Sequence, residues 1–203
     1  MSPLTIIVAA TKTNGIGLNA RLPWRLPKEM KYFAQVTANA PEGQQNAVIM
    51  GRNTWESIPK KFRPLPNRQN IVISRNESYD LGIYNNTSTL LKNDLSSAVA
   101  AMSDSKAIHR AFVIGGASLY TDTLALPLSG TASVDRALIT RIIAPDFEEC
   151  DVFMPNFLQE KEESVWTRTS HQALQEWVGF EVPEGIQEEN GVNYEFQMWV
   201  RQK

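Results

Sequence analysis

Leu4-Thr5-Ile6-Ile7-Val8-Ala9-Ala10 is a continuous apolar, largely β-branched run, and the glycine loop Gly15-Ile16-Gly17 follows it within a few residues. A strand with one wet face alternates in polarity. A run this uniform and this short reads instead as a strand buried on both faces, hence central in a sheet. Similar runs recur at residues 47–50, 70–74, 110–114 and 136–142. Helical stretches stand between them at 27–36, with Pro27 suited to the first position, 52–58, 95–102, with Asp94 as N-cap, and 117–125. Strands alternating with helices predict a single α/β domain over residues 1–203, with a mainly parallel central sheet and flanking helices. Residues 194–201 alternate, with Tyr194, Phe196, Met198 and Val200 facing one way; together with 164–170 they predict an antiparallel C-terminal addition. Residues 79–93 are weakly patterned, with a short strand expected near Ile83-Tyr84. Residues 171–192 are polar, carry Pro183, Gly185 and Gly191, and read as loop.

Bulk properties narrow the function. Hydrophobic residues are 42% of the 203 and charged residues 21%, as in an ordinary soluble domain. A net charge of -2 gives no electrostatic footprint for nucleic acid. No segment approaches the roughly 18 apolar residues of a membrane span. Met1-Ser2-Pro3-Leu4 enters the first strand without the basic start of a signal peptide. The lone Cys150 cannot form an intrachain disulfide, which fits a reducing, cytoplasmic setting and a passive thiol. His109 and His171 have no ligand-like spacing with each other or with Cys150, so no metal site is expected. Nothing suggests an interface, so a monomer is expected.

Ligands of open α/β sheets bind at the carboxyl ends of strands. Three such exits suit phosphate. Gly51-Arg52-Asn53-Thr54 offers a glycine, a cation and helix-start amides; Ser74-Arg75-Asn76 sets a hydroxyl beside a guanidinium; Gly115-Gly116-Ala117-Ser118 lets backbone amides come close. No Gly-x-Gly-x-x-Gly follows the first strand, so this is not a Rossmann fingerprint. In the first helix, Glu29 shares a face with Phe33 (i, i+4), and Met30 neighbours Phe33 (i, i+3). A carboxylate on an apolar face is costly to bury unless paired. Two readings stay open: Glu29 recognises a flat heterocycle, or it is a solvated first-turn acid favoured by the helix dipole.

Ile7-Val8-Ala9, Gly15-Ile16-Gly17, Leu22-Pro23-Trp24, residues 29–33, the run 48–59, Arg63-Pro64-Leu65, Arg68, residues 73–76, 112–116 and 138–142 follow one another in an order and spacing that resembles the dihydrofolate reductase family. The resemblance covers essentially the whole chain with no fused second enzyme left over. Loop lengths at 78–93 and 171–193 resemble the eukaryotic, single-function form, fungal in style.

The resemblance implies reduction of 7,8-dihydrofolate to tetrahydrofolate by NADPH, serving one-carbon metabolism and thymidylate synthesis, with antifolates as inhibitors. It implies that Glu29 accepts hydrogen bonds from the pterin and helps protonate N5, with Thr140 orienting it and Leu22 and Trp24 completing the catalytic corner. Burial would raise the pKa of Glu29 and the helix start would lower it. Substrate would lie against Ile7, Val8, Met30, Phe33, Ile58, Phe62, Leu65, Ile114 and Tyr120, with Arg68 pairing its α-carboxylate. Ala9, Ile16, Gly17, Asn19, Ala20 and Tyr120 would line the nicotinamide side. Gly51, Arg52, Asn53, Thr54 and Ser57 would hold phosphates, joined by Ile114, Gly115, Gly116, Ala117, Ser118 and Leu119. Ile73, Ser74, Arg75 and Asn76 would receive the 2′-phosphate. Gly115-Gly116 would be a cis peptide, and the loop from Gly17 to Trp24 would close over the nicotinamide. This chain has Met30 where relatives often have an aromatic, and Asn53 where many have a second cation, which leaves the phosphates mainly to Arg52 and Arg75. The other enzyme of this fold type to weigh is an NADPH-dependent pyrimidine reductase of riboflavin synthesis. It would not be expected to need Leu22-Pro23-Trp24 together with Glu29. A non-catalytic NADPH-binding protein is a third reading, and the intact Glu29, Thr140 and Arg68 argue against it.

Overall fold

The structure, a computed structural model, describes residues 3–83, 88–103, 107–128, 130, 132–158 and 164–202. In chain order the elements are β1 (Leu4–Thr11), β2 (Gly15–Gly17), α1 (Pro27–Ala38), β3 (Gln45–Gly51), α2 (Arg52–Ser57), β4 (Arg68–Ile73), β5 (Thr89–Lys92), α3 (Leu95–Ser103), β6 (Ile108–Val113), α4 (Ala117–Leu124), β7 (Val134–Ala144), β8 (Val152–Phe153), β9 (Trp166–Arg168), α5 (His171–Val178), β10 (Gln187–Glu189) and β11 (Val192–Arg201). The main sheet runs β10-β11-β7-β1-β6-β3-β4-β5, with β9 also on β11. From β7 to β5 every pairing is parallel, while β11, β10 and β9 are antiparallel. The first apolar run thus lies between β7 and β6 in the middle of the sheet, as its uniform polarity requires.

Side chains of a strand alternate between faces, so β1 feeds two cores. Leu4, Ile6 and Ala10 pack with Val99 and Met102 of α3 and Leu119 of α4. Ile7 packs on the opposite side with Tyr32 and Val36 of α1, Trp55 of α2 and Leu174 of α5. Within this buried strand only Val8 and Ala9 are half-buried, so the core opens there.

The polar segment after Ser170 is not loop. Ser170 caps α5, its Oγ accepting from Ala173 N–H at 3.2 Å; Leu174 and Val178 bury one face, and Gly179 ends the helix at φ 81°. The strand β10 is joined to β11 by Asn190-Gly191, both at positive φ, the geometry of a two-residue hairpin. The short strand expected near Ile83-Tyr84 does not include Ile83, and Tyr84 lies outside the described residues. Instead β5 forms at Thr89–Lys92, with only half-buried residues, as suits the outermost strand against β4.

Candidate active site

Glu29 sits in the first turn of α1 and is 5% exposed. Thr140 of β7 donates from Oγ1 to Glu29 Oε1 at 2.9 Å. Register explains the meeting: Thr140 lies beside Ala9 on β1 and Phe196 on β11, and strand alternation turns it to the face that α1 covers. The solvated reading of Glu29 therefore fails. Desolvation pushes its carboxyl up to about 7; the Thr140 hydrogen bond pulls the other way, and the nearby negative charge of Glu189 adds to the rise. Trp24 is buried edge-on against Phe147, ring centroids 5.2 Å apart. Its Nε1–H has no acceptor among the described residues, an uncompensated buried donor. Leu22, Met30 and Phe62 are exposed, whereas Phe33, Ile58 and Leu65 are half-buried.

Arg68 starts β4 and is 4% exposed. Its Nε donates to Pro66 O at 2.9 Å and one terminal nitrogen to Thr37 Oγ1 at 2.7 Å. No carboxylate lies within ion-pair distance of it among the described residues. Burial lowers its pKa to about 10, which still leaves a full cation at neutral pH. A buried guanidinium without a counter-charge is costly, and an incoming carboxylate would offset that cost. Thr37, which sequence reasoning missed, links this cation to α1; its hydroxyl also donates to Phe33 O at 2.7 Å. Asn70 clamps the preceding loop by accepting from Leu65 N–H and donating to Leu65 O, both at 2.9 Å.

The exits of β3 and β6 are tied together: Gly51 N–H donates to Gly115 O at 2.8 Å and Ile114 N–H to Ile49 O at 2.9 Å. Gly115-Gly116 is a cis peptide. Gly115 holds φ 121°, and a Cβ there would stand 3.2 Å from Thr54 Oγ1 and 3.3 Å from the Tyr120 hydroxyl. Only glycine suits that position, and it leaves bare backbone at the joint. Of the residues expected around phosphates, Arg52, Asn53, Ser57, Arg75, Asn76 and Ser118 are exposed, Gly51, Thr54, Ile73, Ile114, Gly116 and Ala117 half-buried, and Ser74 buried with its Oγ accepting from Asn76 N–H at 3.2 Å. Two of the residues expected to touch ligand also have contacts inside the protein. Leu119 packs in the core, and the Tyr120 hydroxyl is buried and donates to Ile7 O at 3.1 Å.

The glycine loop is pinned rather than free. The strand β2 pairs with β8, Gly15 opposite Phe153 and Gly17 opposite Val152. Asn19 N–H donates to Asp151 Oδ2 at 3.0 Å, and Asn19 and Ala20 both take positive φ. Arg141, another residue that sequence reasoning did not single out, donates to Thr11 O at 2.6 Å and Asn14 Oδ1 at 3.2 Å at the loop's base. Cys150 is buried against Gly15, where a Cβ would approach its Sγ to 2.7 Å, and burial pushes the thiol up. It is a packing residue, as expected.

A cavity of about 270 Å³ lies elsewhere, between β9, α5 and β11, lined by Arg168, His171, Glu195 and Met198 among others. Two of its charged side chains answer each other, Arg168 pairing with Glu195 at 3.0 Å, and Glu184 also lines it. The buried acid Glu29 and the buried cation Arg68 lie outside its lining. Among the described residues no cluster of three metal-binding side chains occurs, and no helix is long and apolar enough to cross a membrane.

The sequence profile of dihydrofolate reductase matches residues 3–201. Similar proteins include a dihydrofolate reductase of Cryptococcus neoformans var. neoformans serotype D, 45% identical over 97% of this chain and 94% of the relative, and one of Pneumocystis carinii, 45% identical over 98% and 96%. A solved dihydrofolate reductase of Schistosoma mansoni superposes with a TM-score of 0.76 at 28% identity, covering 98% of each chain. Agreement along nearly the full length in sequence and fold makes the chain an oxidoreductase of the α/β class. It belongs to the dihydrofolate reductase family, and these relatives, which it matches almost from end to end, are eukaryotic. The pyrimidine reductase reading is thereby set aside.

Proposed function

We propose that the chain reduces 7,8-dihydrofolate to 5,6,7,8-tetrahydrofolate through the cleft around Glu29. The observation that carries this is the buried Glu29–Thr140 pair at 2.9 Å. Thr140 claims one carboxylate oxygen and leaves the other for a donor edge such as that of a 2-amino-4-oxopyrimidine ring. With its carboxyl near 7, Glu29 is populated in both forms at neutral pH. It can hold the amino and ring N–H groups as the anion, and supply a proton toward the reduced imine as the acid. The buried Trp24 N–H, without an acceptor among the described residues, would donate to a ligand or water oxygen. Arg68, fixed by Thr37 and Pro66, would grip a carboxylate at the substrate's far end. Half-buried Phe33, Ile58 and Leu65 would flank the ring system, with exposed Met30 and Phe62 at the rim.

The bare backbone at Gly115-Gly116, the Gly51 exit and the Ser74-Arg75 pair fit a phosphorylated dinucleotide, and Arg75 favours one with a 2′-phosphate. NADPH, when bound, supplies the hydride. The protein's part is to place and desolvate: Ala9 and Ile16 border the opening, and the segment from Gly17 to Trp24 excludes water. All of these residues belong to one chain, so we take a monomer to be sufficient, which gel filtration would test.

Loss of NADPH absorbance on adding dihydrofolate, with and without methotrexate, tests the reaction. Antifolate-sensitive oxidation is expected. NADPH binding without turnover would overturn the assignment.

A further inference from the structure

Helix α1 starts without a cap of its own. Leu26 before it offers no side-chain acceptor, and Pro27 in the first position has no N–H to satisfy. The first donor in need of a partner is the Lys28 N–H, one residue before Glu29. Its partner comes from far along the chain: both carboxylate oxygens of Glu189 accept from Lys28 N–H, at 2.9 and 3.1 Å. Glu189 ends β10 opposite Val192, held there by the turn at Asn190-Gly191, with φ 52° and 74°. The same turn grips the segment ahead of the helix, Asn190 Nδ2 donating to Arg25 O at 2.7 Å. The Tyr194 hydroxyl donates to Glu189 Oε2 at 3.3 Å. The acid is therefore fixed from β11 on one side and spent on α1 on the other.

We propose that Glu189 is a positioning residue for Glu29: a cap lent by the C-terminal hairpin that sets where α1 begins and stands a second negative charge behind the buried acid. The proposal rests on reading Glu29 as the substrate acid. An acid is favourable at a helix start through the dipole, but here it also opposes the charged form of its neighbour. Among the described residues the other titratable groups seen to interact with Glu29 are Tyr32 on its own helix and Tyr194 on β11, and burial keeps both phenols protonated well past neutral pH. The charged neighbour acting on Glu29 is thus Glu189.

The test uses the wild type, Glu189→Gln and Glu189→Ala. The amide keeps an acceptor for Lys28 and drops the charge; alanine removes both. Two readouts are taken: the NMR titration of the Glu29 carboxyl in the ligand-free protein, and the pH profile of dihydrofolate turnover. In both variants the Glu29 midpoint should fall by about half a pH unit, which cuts the protonated fraction at pH 8 roughly threefold. The alkaline limb of turnover should move with it. Exchange of the Lys28 amide should quicken in Glu189→Ala and be slowed again in Glu189→Gln, which should also keep more of the acid-side turnover. A Glu29 midpoint that stays put in both variants overturns the proposal. A midpoint that moves while even the wild type fails to reduce dihydrofolate supports the cap and charge, and puts the fault in the reaction assigned.

Discussion

Desolvation and the Thr140 hydrogen bond pull Glu29 in opposite directions, and desolvation wins. Two measurable consequences follow at this one residue. Because the folded carboxyl titrates near 7 and an ordinary one near 4.5, the native state holds the extra proton between those values. Stability should then fall as pH rises through that window and level off above it, a loss of about 3 kcal/mol in all. Glu29→Gln, which cannot ionise, should gain melting temperature over the wild type at pH 8 and much less at pH 5; equal gains at both would contradict the burial account. Thr140→Val removes a hydrogen bond that favours the anion, so the alkaline limb of turnover should move to higher pH than in the wild type, read from a pH profile of initial rates. Glu29 could be singled out in the sequence as an acid on an apolar face, but the sequence left open whether it was buried. Burial depends on which way Thr140 points, and that is set by a strand register 111 residues away.

At the scale of elements, β4 delivers a buried cation at its start and a phosphate-type exit at its end. Arg68→Ala should raise the KM for dihydrofolate about a hundredfold, in line with roughly 3 kcal/mol for a charge-assisted pair, and should change kcat far less; a matched fall in kcat alone would mean Arg68 does not read the tail. Arg75→Ala should weaken NADPH binding well beyond NADH binding, measured by fluorescence titration with each cofactor, and equal losses would remove Arg75 from the 2′-phosphate. Most parallel strands and the helices α1 to α4 were legible because their apolar runs end in glycine, proline or a capping residue. The polar composition of residues 171–192 masks helix α5 and strand β10, although the local punctuation marks both. Ser170, Leu174, Val178 and Gly179 spell a capped amphipathic turn, and Asn190-Gly191 is a hairpin signal. Thr37 and Arg141 could not be found this way, since each matters only through a partner on another element.

Seen whole, the molecule is a sheet with β1 at its centre, a core on each face, and the candidate cleft where β1 relaxes to half-buried at Val8 and Ala9. Ligands that span such a cleft bind only the folded form. NADPH at a hundred times its Kd should therefore add about 2.7 kcal/mol to unfolding stability, seen as a rise in thermal midpoint that methotrexate extends; no rise with NADPH would mean that the strand exits do not bind it. The central place of β1 also bears on how the chain reaches this state. Its sheet partners are residues 108–113 and 134–144, so the first apolar segment to be made has no pairing strand within a hundred residues. Closing that gap costs chain entropy before any pairing rewards it. Refolding should accordingly be slow, and Leu4–Thr11, apolar and first in the chain, is the strand left waiting longest for company.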